Sequence, residues 1–406
     1  MNILIINHYA GSPEMGMEFR PYYLAQEWKK NGHNVLILGG TYSHLRKKQP
    51  EKVGKQTIDG LDYFWIKTPV YKGNGVKRFL SMLDFTAKIW MKAKNIAKMF
   101  SPDVVIASST YPLDNYVANK IARCCGAKMV YEIHDLWPLS PMALGGMSKH
   151  HPFIVIMQWA EDFAYRHCAA VVSMLPKAKD HCVEHGLPAD KFFYVPNGIV
   201  EEDWATPEAL PEEHRQQIAK LREEGRFLVG YLGGHALSNA LDTLLTTAKI
   251  ISSDNVAFIL VGNGVEKPAL MQRANNEHIE NVYFLPPIKK TAVPEFLKEM
   301  DVLYIGWKKN PLYRFGISPN KIYDYMMSGK PVIHAVEAAN DPIAEAHCGL
   351  SAEAENPQEI AEALKKMMQL SSAQRQEMGM NGKRFVLENN TYSVLAKKFI
   401  DCLENL

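Results

Sequence analysis

An α/β protein built from two parallel-sheet domains is the fold this sequence predicts, on three observations. Its 406 residues exceed what one hydrophobic core usually organises, so two domains of about 200 residues each are expected. Short apolar runs alternate with helical patterns almost throughout, as parallel strands joined by crossover helices require. The alternation pauses once, around Pro196-Asn197-Gly198, and a polar, Pro- and Glu-rich segment from Glu201 to Glu224 precedes its restart.

Each element has a local reason. Asn2–Asn7 is an apolar run without polar alternation, the mark of a strand covered on both faces. A glycine-containing loop follows, then a helix from about Met17 to Lys30 that Gly32 ends. Val35–Leu38 is the second strand, and Gln56–Lys67 reads as a hairpin about its Asp59-Gly60 turn. Strands are predicted at Asp103–Ala107, Lys128–Glu132, Ala170–Ser173 and Phe192–Val195, and after the pause at Phe227–Leu232, Val256–Val261, Val282–Leu285, Val302–Ile305 and Val332–His334. The expected domains are residues 1–200 and 201–388, with a terminal helix in 389–406 packing back towards the first. Ligands of such sheets bind beyond the carboxyl ends of the strands, so two facing sheets make a cleft.

The composition, 47% hydrophobic and 22% charged, is that of a globular protein. The net charge of +2 conceals an asymmetry: residues 1–200 carry 24 Lys and Arg against 16 Asp and Glu, the remainder 22 against 28. A basic first half points either to an anionic partner or membrane surface, or to uneven surface charge without a partner. The six cysteines have no C-x-x-C spacing and read as reduced thiols. No signal peptide precedes the first strand and no apolar run approaches the roughly 20 residues of a membrane span. The expected compartment is cytoplasmic, with contact at the inner face of the membrane left open. Nucleic acid is not an expected partner, since no recognition motif is present.

Tyr313–Val332 is the most informative stretch. A glycine-containing turn leads to Ser318-Pro319-Asn320-Lys321, then a helix, then Gly329-Lys330-Pro331 entering a strand. Pro319 suits a helix start, and the exposed amides there, with Lys321, form a site for a diphosphate. Asp324 lies three residues on, on the same face, where a carboxylate accepts hydrogen bonds from ribose hydroxyls. The bland reading is a capped helix with a surface Lys–Asp pair.

This stretch resembles glycosyltransferase family 4, of the GT-B fold: two Rossmann-like domains with parallel sheets facing across a cleft. It is most similar to the subgroup that transfers N-acetylated amino- or deoxyamino-sugars in bacterial surface polysaccharide assembly, such as the N-acetyl-L-fucosamine transferases. Met326-Met327-Ser328-Gly329-Lys330-Pro331-Val332 matches the family element, and Asp324 falls where the family's second glutamate belongs. The first glutamate would fall at Gly316 and is absent; the subgroup's Ser-Pro-Asn-Lys is intact at Ser318–Lys321.

The same resemblance gives meaning to other loops. Val229–Leu245 runs from a strand through Gly233 and Gly234 into a helix, and glycines there let backbone approach a phosphate. The family's arginine and lysine are replaced by Gly234 and Asn239, and His235 either touches the donor or caps the helix. Gly262 and Gly264 in Leu260–Glu266 make a tight turn, near the nucleotide by the resemblance. Ile288, in Leu285–Lys289, corresponds to the loop whose backbone brackets the base. In the first half, the loop containing Gly16 resembles the one facing sugar and acceptor; Glu18 and Arg20 read as acceptor contacts or as helix-start charges. Tyr131–Pro138 resembles the subgroup's Glu-x-His-Asp-Leu-Trp-Pro, placing His134 and Asp135 just past a strand end as a sugar or acceptor contact, or as loop structure. Lys72–Lys98 mixes seven basic residues with aromatic and aliphatic ones and suits an anionic membrane or lipid-diphosphate acceptor, or else a core helix with a solvated basic face.

The resemblance implies retaining transfer of a sugar, from UDP, to a lipid-diphosphate-linked saccharide. His134 and Lys321 are the catalytic candidates; Lys321 and the amides of the Ser318–Asn320 turn would stabilise the departing diphosphate. No cofactor beyond the nucleotide-sugar donor is expected, and no metal, because nothing resembles an Asp-x-Asp site. Two alternatives stand beside it. A nucleotide-sugar 2-epimerase of the same architecture would convert UDP-sugar without an acceptor. A non-catalytic scaffold would bind UDP without transfer.

Overall fold

The computed structural model describes residues 1–16, 19–73 and 75–404. The chain forms two compact units: unit 1 is Met1–Asn197, Phe315–Ile317 and Tyr392–Leu406, and unit 2 is Gly198–Arg314 and Ser318–Thr391.

Unit 1 holds eight strands: β1 (Asn2–Ile6), β2 (Asn34–Gly40), β3 (Gly54–Ile58), β4 (Leu61–Ile66), β5 (Val104–Ala107), β6 (Lys128–Ile133), β7 (Ala170–Ser173) and β8 (Phe192–Tyr194). Their order is β3-β4-β2-β1-β5-β6-β7-β8, parallel except for the β3–β4 hairpin. The hairpin turns on Asp59 and Gly60, both with positive φ (48° and 80°), the twist a two-residue loop needs to match its strands. β1 is central, with Leu4 opposite both Leu36 and Val105. Its residues 3–6 are at most 2% exposed, as an apolar strand between two helical layers must be. The terminal helix Tyr392–Glu404 completes the unit by packing on the helix Phe19–Lys30. Trp28 donates its indole N–H to the Ala396 carbonyl (3.0 Å), and its ring meets Phe399 edge-on.

Unit 2 holds β9 (Phe227–Leu232), β10 (Val256–Val261), β11 (Val282–Leu285), β12 (Val302–Gly306), β13 (Val332–Ala335) and β14 (Gly349–Ser351), all parallel in the order β11-β10-β9-β12-β13-β14. Two features depart from the sequence reading. The polar segment 201–224 is largely helical, at Glu202–Ala205 and Glu212–Glu223, and is folded onto unit 2. Arg222 pairs with Asp301 (2.6 Å), and His214 bonds the Pro286 carbonyl (2.9 Å). The edge strand β14 went unanticipated because three residues, Gly-Leu-Ser, carry no apolar run.

The basic helix of unit 1 spans Val76–Phe100. It buries Met82, Phe85, Ile89, Ala93, Ile96 and Ala97 at helical spacing, so one face is core. Its other face exposes Val76, Leu80, Trp90, Met91 and Met99 beside lysines. Among the described residues, no helix is long and apolar enough to cross a membrane.

Candidate active site

The parallel order of unit 2 brings the ends of β9, β10 and β11 side by side, and their loops are stitched together through the backbone. Gly233 N–H donates to the Val261 carbonyl (3.0 Å), His235 N–H to Asn263 (2.9 Å) and Gly262 N–H to Leu285 (3.3 Å). The approach explains the glycines. A Cβ on Gly262 would lie 1.9 Å from the Gly233 carbonyl oxygen, and one on Gly264 2.3 Å from that of His235. Gly262 also has φ +148°, a region other residues rarely adopt. Gly234 is different: a side chain there would meet nothing within 4 Å. Its carbonyl is the fixed part, accepting from the Tyr231 hydroxyl (2.7 Å) and the Asn239 amide (2.9 Å).

Lys321 reaches this loop from the helix Asn320–Met327. Its ammonium donates to the Tyr231 hydroxyl (3.0 Å), lies 4.4 Å from the Tyr231 ring centroid, and would be 2.6 Å from a Cβ at Gly233. Among the described residues it has no ion pair, and burial alone lowers its pKa to about 8. A cation so placed, with only a phenol beside it, is positioned for an anion. The helix start adds donors: Pro319 is the N-cap, no side chain caps the first turn, and Asn320 is exposed there. Ser318 is half-buried, 3.3 Å from the Tyr323 hydroxyl. One turn into the helix, burial raises Asp324 to about 6, with Lys290 opposing and Asp203 adding to the shift. Ile288 is half-buried in the loop after β11, two residues beyond the Pro286 carbonyl that His214 holds.

His235 is fully buried, and among the described residues neither ring nitrogen makes a hydrogen bond of normal geometry, although the Asn263 backbone is near enough to oppose the fall in its pKa. Burial first, then Lys267 and Lys321, lower its pKa to about 4, so it is neutral near pH 7 with one donor and one acceptor uncommitted. Leaving them unsatisfied costs about 1–3 kcal/mol, which a bound ligand would recover.

In unit 1, the end of β6 delivers His134 into a polar network. The Ser108 hydroxyl donates to Glu132 Oε2 (2.6 Å), while His134 Nε2 lies 2.9 Å from Ser108 Oγ and 3.2 Å from Glu132 Oε2. With the serine proton committed to Glu132, Nε2 is a nitrogen that carries hydrogen. Burial would raise the Glu132 carboxyl, but Arg20 and His134 outweigh it and hold it at about 2.

Two residues read as acceptor contacts are hydrogen-bonded within unit 1. Arg20, read as an acceptor contact, is buried with its guanidinium spent on unit 1: Nε on Glu132 (2.9 Å), Nη2 on the Val195 carbonyl (2.9 Å) and Nη1 on that of Pro196. Asp135 is likewise committed to its own loop, accepting from Leu136 N–H (2.9 Å), the Ser140 hydroxyl (2.5 Å) and the Trp137 indole (3.2 Å). Gly16, with φ +99°, bridges Arg46 and packs on Lys47, which is a backbone role. Glu18 lies outside the described residues.

Sequence reasoning passed over Tyr231, Glu132 and Lys267. The first two stand inside stretches it quoted. Lys267 follows the Gly262–Gly264 turn, and its ammonium holds the carbonyls of Gly262 and Leu285 (2.8 Å each).

Twin units built on parallel sheets define a Rossmann-like α/β class. Residues 15–203 match the family model Glycosyltransferase Family 4, and residues 226–370 match Glycosyl transferases group 1. The chain is an enzyme, a hexosyltransferase-type glycosyltransferase of the GT-B fold. It is 20% identical over 331 residues, 77% of this chain and 78% of the relative, to WcaI of Escherichia coli (strain K12), a glycosyl transferase assigned to colanic acid biosynthesis. Among solved structures it is similar to Anabaena HepE in complex with UDP and glucose (TM-score 0.66, 16% identity, all of both chains). It is also similar to sucrose-phosphate synthase of Thermosynechococcus elongatus (0.73, 14%, 100% and 99%) and to WaaG, a glycosyltransferase of lipopolysaccharide biosynthesis (0.64, 16%, 99% of each). At these identities the structures establish the fold.

Proposed function

We propose that the chain transfers an N-acetylated amino- or deoxyamino-hexose from UDP to a lipid-diphosphate-linked saccharide in surface polysaccharide synthesis, with retention at the anomeric carbon and no metal in the transfer step. The observation that carries this reading is Lys321, a half-buried cation without an acidic partner among the described residues, set against the glycine loop after β9. The diphosphate would lie against Gly233, Lys321 and the first amides of the helix Asn320–Met327. Asp324 would accept the ribose hydroxyls, and the backbone at Ile288 would read the uracil edge. His235 is the neutral donor and acceptor for the sugar-nucleotide. HepE, whose complexes contain UDP, UDP-glucose or glucose with UDP, supports the choice of donor. WcaI and WaaG support the setting in polysaccharide assembly.

In the transfer itself, the bond from the anomeric carbon to the β-phosphate oxygen breaks. The acceptor oxygen forms its bond on the same face, and the hydroxyl proton passes to the departing phosphate. Lys321 stabilises the charge growing on that phosphate. His134, held by Ser108 and Glu132, steers the hydroxyl or the transferred sugar. The exposed Val76, Leu80, Trp90, Met91 and Met99, interleaved with Lys77, Lys94 and Lys98, suit the cytoplasmic face of an anionic membrane.

A thermal-shift panel of UDP, GDP, CDP and dTDP, followed by transfer assays of the matching sugars onto lipid-diphosphate saccharides, tests the proposal. UDP should give the largest shift, and product should require the acceptor. An epimer formed from UDP-sugar alone, or binding without transfer to any acceptor, would replace this reading with one of the other two.

A further inference from the structure

Away from the strand ends, unit 1 carries a second cluster of ionisable groups that neither donor nor acceptor chemistry uses. The helix Pro152–His167 contributes Glu161 and Asp162, and the helix Lys179–Glu184 with its C-cap contributes His181 and His185, four residues apart and so on one face. One ligand atom from each of Glu161, His181 and His185 lies within 4.8 Å of the others. His181 Nε2 is 2.9 Å from Glu161 Oε1, and His185 Nδ1 is 2.8 Å from Asp162 Oδ1. The two imidazole centroids are 4.6 Å apart.

We propose that Glu161, His181 and His185, closed by Asp162, form a structural site for a divalent d-block cation, zinc first. Imidazole and carboxylate are the ligands zinc takes at about 2.0–2.2 Å, and a tetrahedron of such bonds needs ligand atoms about 3.4 Å apart. Three of the ligand atoms already lie within 4.8 Å of one another, and Asp162 Oδ1 is 2.8 Å from His185 Nδ1. The Tyr165 hydroxyl donates to Glu161 Oε1 (2.9 Å), and the Gln158 amide nitrogen contacts Glu161 Oε2 (2.8 Å), Asp162 Oδ1 (2.8 Å) and His185 Nδ1 (3.1 Å), so it orients Glu161 and has to turn away from the other two as the cation enters. Glu161 and His181 are buried while His185 is half-exposed, which leaves an entry path.

The site has a structural consequence. The His181 ring packs against Phe315 (5.7 Å), and Lys177 N–H holds the Phe315 carbonyl (2.9 Å). Phe315–Ile317 is the part of unit 1 that immediately precedes Ser318. A cation here fixes the anchor from which the phosphate-binding turn departs, and takes no part in the transfer step.

The test uses the full chain, stripped with a chelator and titrated with zinc chloride by calorimetry, with cobalt(II) as a spectroscopic probe. Wild type should bind one equivalent and gain about 5 °C in Tm at a hundredfold excess over Kd. Cobalt should give the strong visible bands of a tetrahedral site. His185→Gln, at the half-exposed ligand, and His181→Asn should each weaken zinc binding at least tenfold and remove those bands, with the UDP thermal shift retained as evidence of folding. No stoichiometric zinc binding by wild type overturns the proposal, as does binding that both variants leave unchanged. If His181→Asn fails to fold, His185→Gln alone decides.

Discussion

Replacing Lys321 with methionine removes one charge while keeping a flexible side chain of similar length, so packing against Gly233 and Tyr231 survives. A unit charge about 4 Å from a phosphate oxygen is worth about 4 kcal/mol at an effective dielectric of 20. Against this stands the contact the ammonium leaves on the Tyr231 ring, 4.4 Å from its centroid, worth about 1 kcal/mol. Roughly 3 kcal/mol remains, so kcat/KM should fall about 10²-fold. The pH profile gives a second handle. Burial holds the amine at about 8, and only the protonated form attracts the diphosphate. kcat/KM should therefore fall as pH rises through about 8, and that limb should be missing from Lys321→Met. Stability moves the opposite way. The folded pKa lies below the unbound value of 10.5, so between about 8 and 10.5 the folded state binds fewer protons and gains stability as pH rises. Steady-state kinetics with UDP-sugar from pH 6 to 9.5, beside Tm measurements, separates the two effects. A variant that keeps more than about a third of wild-type kcat/KM with an unaltered profile would remove Lys321 from the mechanism.

Asp324→Asn should weaken UDP binding about tenfold, the worth of one charge-assisted hydrogen bond. Because its carboxyl sits at about 6, wild-type affinity should decline as pH falls through 6 and the variant's should not; calorimetry giving equal Kd values would refute the ribose contact. Gly262→Ala places a methyl 1.9 Å from a carbonyl oxygen and should cost about 1–3 kcal/mol of unit 2 stability, whereas Gly234→Ala, facing open space, should stay within about 0.5 kcal/mol. Equal Tm values for the two would contradict the loop packing. Glu132, held at about 2 against an ordinary 4.5, contributes about 3 kcal/mol that is present above pH 4.5 and lost as pH falls towards 2. Glu132→Gln should be less stable at neutral pH and flatter across that window in urea unfolding; parallel pH curves would show that the carboxylate is not held by Arg20.

The fold was legible where one kind of signal sufficed. Buried parallel strands announce themselves as unbroken apolar runs, and the hairpin announces itself through Asp59-Gly60, whose two positive φ values other residue pairs rarely supply. What escaped was structure carried by sparse signals. The segment 201–224 reads as polar spacer, yet His214, Ile218 and Leu221 recur at four and three residues and are the buried face of its helix. The return of Phe315–Ile317 to unit 1 has no sequence signal, since it depends on a backbone bond to Lys177 and a ring contact with His181.

At the site, residue type was legible but commitment was not. Arg20 and Asp135 have the chemistry of ligand contacts, and only the structure shows that their hydrogen-bonding capacity is already spent on Val195, Pro196 and Glu132, and on Leu136, Trp137 and Ser140. The converse holds for the loop that lacks the family's basic pair. Gly234 and Asn239 are not merely missing charges. The Gly234 carbonyl is clamped by Tyr231 and Asn239, and the Tyr231 hydroxyl that does so also receives Lys321. The next ammonium along, Lys267, is occupied by two carbonyls. In the proposed reading, replacing a pair of cations by a clamped loop would concentrate the electrostatics of the departing diphosphate on one amine whose pKa burial lowers to about 8. An enzyme arranged this way should lose more from the single change at Lys321 than a relative that shares the same load among several basic residues.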